Sequence, residues 1–356
     1  MIKNFLLSIF LLLIPSCFWG NTVYRPQVSV AGFIPLSGSG RDIYNFNPGW
    51  RYYKGDMERA ETVELDDSDW EVVATPHSVE LMPAEASGCR NYQGPVWYRK
   101  WFVIPAATRG KQVFIHFEAV MGKQKVYLNG HLVKEHLGGY LPFNIDLTAN
   151  GIQAGDSCLI AVMADNSDDK SYPPGKRQYT LDFSYHGGIY RDVWMIAKSD
   201  VSITDAVDAG KVAGGGVFIH YGRISEKKAD ILIDTEVRNN GKRQRKVEVE
   251  SSLVDATGTL IKRVVAMVHL DAGQSKTVNQ KIEVRQPHLW SPDSPYLYRY
   301  QLCIWSYQWY RSCLPERTGL HRHPGYADDR LRYQPGLYQI CTVRRLSSGL
   351  HHYRKW

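Results

Sequence analysis

The sequence predicts an all-β chain: two β-sandwiches in series, then an irregular C-terminal tail. Three observations predict it. Apolar and polar residues alternate over short runs, as in KQVFIHFEAV, where Val113, Ile115 and Phe117 take every second position. That period of two belongs to a half-buried strand. No stretch of the chain carries the 3.6-residue period of an amphipathic helix. Turn residues recur at regular intervals between the apolar runs, the spacing of sandwiches and barrels. A length of 356 residues suits two ordinary domains, and 44% hydrophobic with 22% charged residues excludes disorder throughout.

Taken in order, the chain opens on MIKNFLLSIFLLLIPSCFWG. Lys3 precedes an apolar run from Phe5 to Ile14, so residues 1–20 read as an export signal. The run is shorter than the roughly 20 residues that a membrane-spanning helix needs. Ile14-Pro15-Ser16-Cys17 resembles a bacterial lipoprotein cleavage box, with Pro15 an unusual occupant. Lipidation at Cys17 and ordinary cleavage just beyond it both stay open. Either route exports the chain, to the periplasm or outer-membrane surface of a Gram-negative bacterium.

The first sandwich is expected over residues 40–200. VWYRKWFVI and SCLIAVMADN read as strands, the second as a buried one. In KVYLNGHLVKE, Asn129-Gly130 sits between two alternating runs. Asn-Gly supplies the two positive-φ positions of a type I′ hairpin. A second sandwich is expected over residues 201–300, with turns at Asn239-Asn240-Gly241 and Asp255-Ala256-Thr257-Gly258. Five to seven strands in about 100 residues is the spacing of an immunoglobulin-like fold. The Cys…Trp…Cys signature of antibody domains is absent, so only the architecture is implied.

From Tyr300 the pattern is lost. CIWSYQWYRSC and VRRLSSGLHHYRKW mix Trp, Tyr, Cys, Arg and His without a period. The expectation for residues 301–356 is an aberrant tail read out of frame. Charge agrees: residues 300–356 hold nine Lys or Arg against Glu316, Asp328 and Asp329, which is most of the net +7. A nucleic-acid binder needs its basic excess on a folded face, so that class is excluded. Six cysteines do not form a disulfide framework, since Cys17 lies in the signal and Cys303, Cys313 and Cys341 in the tail, leaving Cys89 and Cys158. No zinc spacing, GxSxG, P-loop, HExxH or dinucleotide fingerprint occurs, and no cofactor is expected.

Five blocks in order carry a resemblance: FNPGWRYYKGD (46–56), DDSDWEVVATPHS (66–78), YQGPVWYRKWF (92–102), FEAVMGKQKVYLNGHLVKEHLGGYLPFNIDLT (117–148) and DFSYHGGIYRDVWM (182–195). Together they resemble the amino-terminal sugar-binding domain of glycoside hydrolase family 2, which includes β-galactosidases, β-glucuronidases and β-mannosidases. LWSPDSPYLY (289–298) resembles the end of that family's immunoglobulin-like domain. The resemblance implies a jelly-roll sandwich first and a β-linked glycoside as partner. Gly138-Gly139 and Gly187-Gly188 then allow backbone shapes closed to other residues. Trp70, Trp97, Trp101 and Trp194 fall in or beside strands and are expected in the core rather than as sugar platforms. Arg191 and Asp192 are a candidate ion pair pinning a strand to a loop.

In the family a loop here reaches the neighbouring barrel's active site and supplies an Asp near the substrate. Asp168 matches that position and Asp169 is the near alternative; a solvated acidic turn is the plain reading of both. The family's Asn after the Pro-His segment falls near Glu80 and is not carried over. The family's retaining chemistry lies in a third domain, a β/α barrel of about 250 residues with a Glu preceded by Asn. No Asn-Glu dipeptide occurs in this chain. The expectation is a truncated β-galactosidase-type hydrolase with no catalytic residue of its own. The alternative is a stand-alone cell-surface carbohydrate-binding module.

Overall fold

The computed structural model describes residues 23–29, 41–81, 91–183, 186–306 and 338–342. The expected export signal, Cys17 and Cys89 lie outside the described residues, as does the tail apart from 301–306 and 338–342.

The first sandwich has ten strands: β1 (Asp42–Asn45), β2 (Trp50–Lys54), β3 (Glu71–Val73), β4 (Pro95–Val103), β5 (Gln112–Phe117), β6 (Lys123–Leu128), β7 (His131–Leu137), β8 (Phe143–Asp146), β9 (Ser157–Asp165) and β10 (Val193–Lys198). One sheet runs β3-β2-β4-β9-β6-β7 and faces a second, β1-β10-β5-β8. The alternation in β5 turns Val113, Ile115 and Phe117 inward, where they meet Trp50, Tyr98, Phe102 and Phe143. Rings in this core meet mostly edge-on, as Phe46 does with Trp50 and with Phe102, the arrangement their quadrupoles favour. β6 and β7 join through Asn129 (φ 48°) and Gly130 (φ 85°), the two left-handed positions that the hairpin requires.

Trp70, Trp97 and Trp194 are buried, as expected, whereas Trp101 is only half-buried. Its neighbours Lys100 and Phe102 take the core-facing and buried places on β4. Arg191 and Asp192 do not pair with each other. The Arg191 guanidinium lies over the Tyr190 ring, and Asp192 accepts a bond from Asn47 Nδ2 at 2.7 Å. Asn47 Oδ1 also accepts from Val193 N at 2.7 Å. The strand is pinned to the loop, but through the Asn47 amide rather than an Arg–Asp ion pair.

The second sandwich contains β11 (Val201–Ile203), β12 (Val217–Ile224), β13 (Lys228–Asn239), β14 (Arg245–Val254), β15 (Leu260–Leu270), β16 (Ser275–Arg285), β17 (Arg299–Ser306) and β18 (Tyr338–Thr342). β13 pairs with β11, β12 and β16 in one sheet; the other runs β15-β14-β17-β18. β11 and β12 share one edge of β13, so residues 204–216 leave that edge as an excursion. Asn239, in the first predicted turn, is fully buried. Its amide donates to the carbonyls of Arg243, Leu270 and Asp271 and ties two turns together. At the second turn, Asp255 Oδ1 accepts from the backbone of Thr257 and Thr259.

Two expectations for the tail are corrected. β17 continues to Ser306, and Leu302, Cys303 and Ile304 are buried within it. β18 lies inside the stretch read as patternless and pairs with β17 from Tyr300↔Thr342 to Ile304↔Tyr338. Strand addition needs only backbone donors and acceptors along an edge, so it requires no apolar period in the incoming segment.

Candidate functional site at the loop end of the first sandwich

Register gathers the loops. Asp165, the last residue of β9, pairs with Pro95 at the start of β4 and with Lys123 at the start of β6. Met121 N donates to Gly188 O, and His77 N donates to Ile189 O. The segments around residues 75–81, 91–94, 166–183 and 186–192 therefore share one end of the sandwich.

Asp168 is exposed there. Its Oδ1 accepts from Gln93 Nε2 at 2.8 Å and from Gln178 N at 2.9 Å. Asp169 does something else. Its carboxylate meets Lys123 Nζ at 2.6 Å and accepts from Ser171 N, and the Lys123 ammonium holds its pKa far below the usual carboxylate range. Glu80 accepts from Lys54 Nζ at 2.7 Å and from Tyr92 N at 2.9 Å, which also lowers its pKa. His77 Nδ1 lies 2.9 Å from the Tyr98 hydroxyl, and burial pushes its pKa down. Ser78 Oγ lies 3.2 Å from His186 Nδ1.

Beneath these sits a frame that sequence reasoning missed. Asn166 is 2% exposed; its side chain accepts from Gly94 N and donates to Tyr92 O. Gln178 is also buried and donates to Asn166 O at 2.9 Å. These amides cross-link loops that lie 72 and 74 positions apart, so no local pattern announces them. Among the described residues the exposed aromatics are Tyr140, Tyr179 and Phe183, not tryptophans. Among the described residues no three metal-ligating side chains converge, and no helix is long and apolar enough to cross a membrane.

The glycine pair is required by contact. Gly188 has φ +90°, and a Cβ there would collide with the Tyr98 hydroxyl; a Cβ on Gly187 would stand 2.6 Å from Asn166 Nδ2. Gly188→Ala is expected to destabilise the first sandwich by about 1–3 kcal/mol. Urea unfolding followed by tryptophan fluorescence measures this, and an unchanged midpoint contradicts it.

Two β-sandwiches in tandem, the first with a loop end braced by buried amides, are the class of fold this chain defines. Residues 46–199 match the family model described as "Glycosyl hydrolases family 2, sugar binding domain", and residues 215–312 match a second model of the same family. The chain belongs to glycosyl hydrolase family 2. The second match runs past β17, in agreement with that strand's place in the second sandwich. A β-galactosidase of Thermoanaerobacter pseudethanolicus is 34% identical over 259 residues, covering 73% of this chain and 32% of that protein. A β-glucuronidase of Formosa agariphila is 30% identical over 278 residues, covering 74% and 28%. Among solved structures, Bacteroides uniformis β-glucuronidase 2, covalently bound to cyclophellitol-6-carboxylate aziridine, superposes with TM-score 0.66 at 28% identity, covering 74% of this chain and 30% of that one. The chain spans about a third of the length of the curated relatives it matches.

Proposed function

We propose that residues 41–306 are the sugar-binding and connecting sandwiches of an exported β-galactosidase-type hydrolase. In this reading Asp168 helps hold the substrate, and the catalytic carboxylate pair belongs to a barrel absent from these 356 residues. The supporting observation is the two-domain family match set against about a third of the relatives' length.

The carboxylates at the loop end fit a binding role better than a catalytic one. A retaining glycosidase needs one carboxyl group kept protonated by a raised pKa, beside a second that stays ionised. Glu80 and Asp169 are shifted the other way, held ionised by Lys54 and Lys123. That direction is the opposite of the one a general acid needs. Among the described residues Asp168 uses Oδ1 for its two bonds, and in this reading Oδ2 accepts from a sugar hydroxyl. Asp169 acts as a brace for the loop through Lys123.

The expected result is that the purified 356-residue chain hydrolyses aryl β-galactoside, β-glucuronide and β-mannoside no faster than buffer. Specific turnover of any of them, abolished by replacing an acid in this chain, overturns the proposal. The exposed Tyr140, Tyr179 and Phe183 are what would favour the stand-alone binding module instead.

A further inference from the structure

A second cleft lies away from the loop end. Phe114, Asn144, Asp146 and Lys198 sit at half-buried positions on the outward face of the β1-β10-β5-β8 sheet. The excursion that follows β11 stands over this face, and Asp208 Oδ2 accepts from Asn144 Nδ2 at 2.7 Å across the gap. The space between the two sandwiches is about 410 Å³, within the range of small-molecule sites. Lys198 pairs with Gln112 at the start of β5, whereas the Asp168 loops gather beyond its other end. The two places are distinct.

The walls carry Lys134, Lys198 and Arg238 against Asp146, Asp205 and Asp208. Formal charge in the lining therefore balances, with Arg41 a further cation acting on Lys198. Among the described residues, none of these six forms an ion pair within 4 Å. The Lys198 ammonium lies 4.4 Å from the Phe114 ring centre, and burial pushes its pKa down to about 8. The signs are interleaved: Lys198 feels Asp146, Asp205 and Asp208, and Asp146 feels both Lys198 and Arg238. Asn144, Asn150, Asn240, Ser202 and Thr204 fill the remaining polar wall.

Each ligand class meets this lining differently. An anion is repelled by three carboxylates, and a divalent cation by three basic groups. A zwitterion needs positive and negative walls sorted to two ends, and here they are mixed. A neutral polyhydroxyl compound suits it, because each hydroxyl accepts from an ammonium or amide while donating to a carboxylate. We propose that the junction of the two sandwiches is a second carbohydrate-binding site, for a neutral sugar unit held between Lys198, Asn144 and the Asp205–Asp208 excursion.

The test is amide-resolved NMR titration of the full chain with galactose and with glucose, and with sulfate, calcium and glycine as contrasting probes. Expected are saturable shifts at residues 144–146, 198–209 and 238–240 with a neutral sugar. Lys198→Met should weaken this binding by about tenfold, the loss of a hydrogen bond to a charged partner, and Asn144→Ala by about threefold, the loss of one between neutral groups. Arg238→Gln, at an exposed position, replaces Lys198→Met if that variant does not fold. Shifts confined to residues 166–183 would assign sugar binding to the loop end and overturn the second site. So would junction shifts with sulfate, calcium or glycine in place of sugar, or no junction shifts at all.

Discussion

Arg99→Met is expected to cost the first sandwich about 3–5 kcal/mol, the usual penalty for removing one partner of a buried ion pair. Arg99 is 0% exposed on β4. Its Nε donates to Asp67 Oδ2 at 2.8 Å. Nη1 donates to the carbonyls of Ala60 and Thr62, and Nη2 donates to Leu65 O. The guanidinium lies 5.8 Å from the Trp70 ring centre. One side chain thus holds the loop between β2 and β3 against the outer face of the six-stranded sheet, where Trp70, Trp97, Ala60 and Ala161 form a separate small core. Methionine fills much of the volume but leaves Asp67, itself 5% exposed, with a buried charge and no cation. Lysine cannot substitute, because only a planar fork reaches four acceptors at once. Urea unfolding followed by tryptophan emission reads the effect. A loss below about 1 kcal/mol would class the pair with surface salt bridges and refute this account. Arg99→Met combined with Asp67→Leu is expected to recover part of the loss, since no unpaired charge then remains.

The second large effect concerns where the second sandwich ends. A chain terminated after Tyr298 is expected to lose that sandwich, and a chain terminated after Ser306 to keep it. β17 supplies Tyr300, Leu302 and Ile304, which are 1%, 0% and 1% exposed. Each such side chain contributes about 1.5–3 kcal/mol on burial. Together they rival a domain's whole stability of about 5–15 kcal/mol. The Tyr300 hydroxyl also lies 2.8 Å from Ser251 Oγ, which donates to Gln280 Oε1 at 2.6 Å, so its removal takes one member from a buried polar chain. Without β17 the flank of β14 stands open to other strands. Limited proteolysis and calorimetry of the two truncated chains decide it. The shorter should yield a protected fragment ending near residue 200 and a single transition. Matching protection of residues 217–298 in both chains would contradict the assignment of β17 to the core.

How much of this was legible in the sequence differs from one element to the next. The alternation of β5, the Asn129-Gly130 hairpin and the burial of Trp70, Trp97 and Trp194 were readable. β17 was readable in part: Tyr300, Leu302 and Ile304 do alternate, but Cys303 and Trp305 put apolar residues on the other face and hide the period. Asn166, Gln178 and Asn239 look like ordinary loop polars in the sequence and prove to be buried cross-links. The junction cleft had no sequence signal, because its walls come from β5, β7, β8, β10, β11, β13 and the excursion after β11.

Over residues 40–300 the sequence by itself determined that the chain is built of strands, where the Asn129-Gly130 hairpin turns, and which face β5 buries. Those follow from side-chain alternation and backbone preference, which act over a few residues. It offered Asp168 as the match to the family position and Asp169 as the near alternative, with no charge partner for either. Only the tertiary structure separated them, because Lys123 is 46 positions from Asp169 in the chain and is brought to it by the pairing of β6 with the end of β9. The ammonium takes Asp169 as a brace and leaves Asp168 exposed. A strand's period records which way a residue faces; which charge it meets there is set by pairing between distant segments.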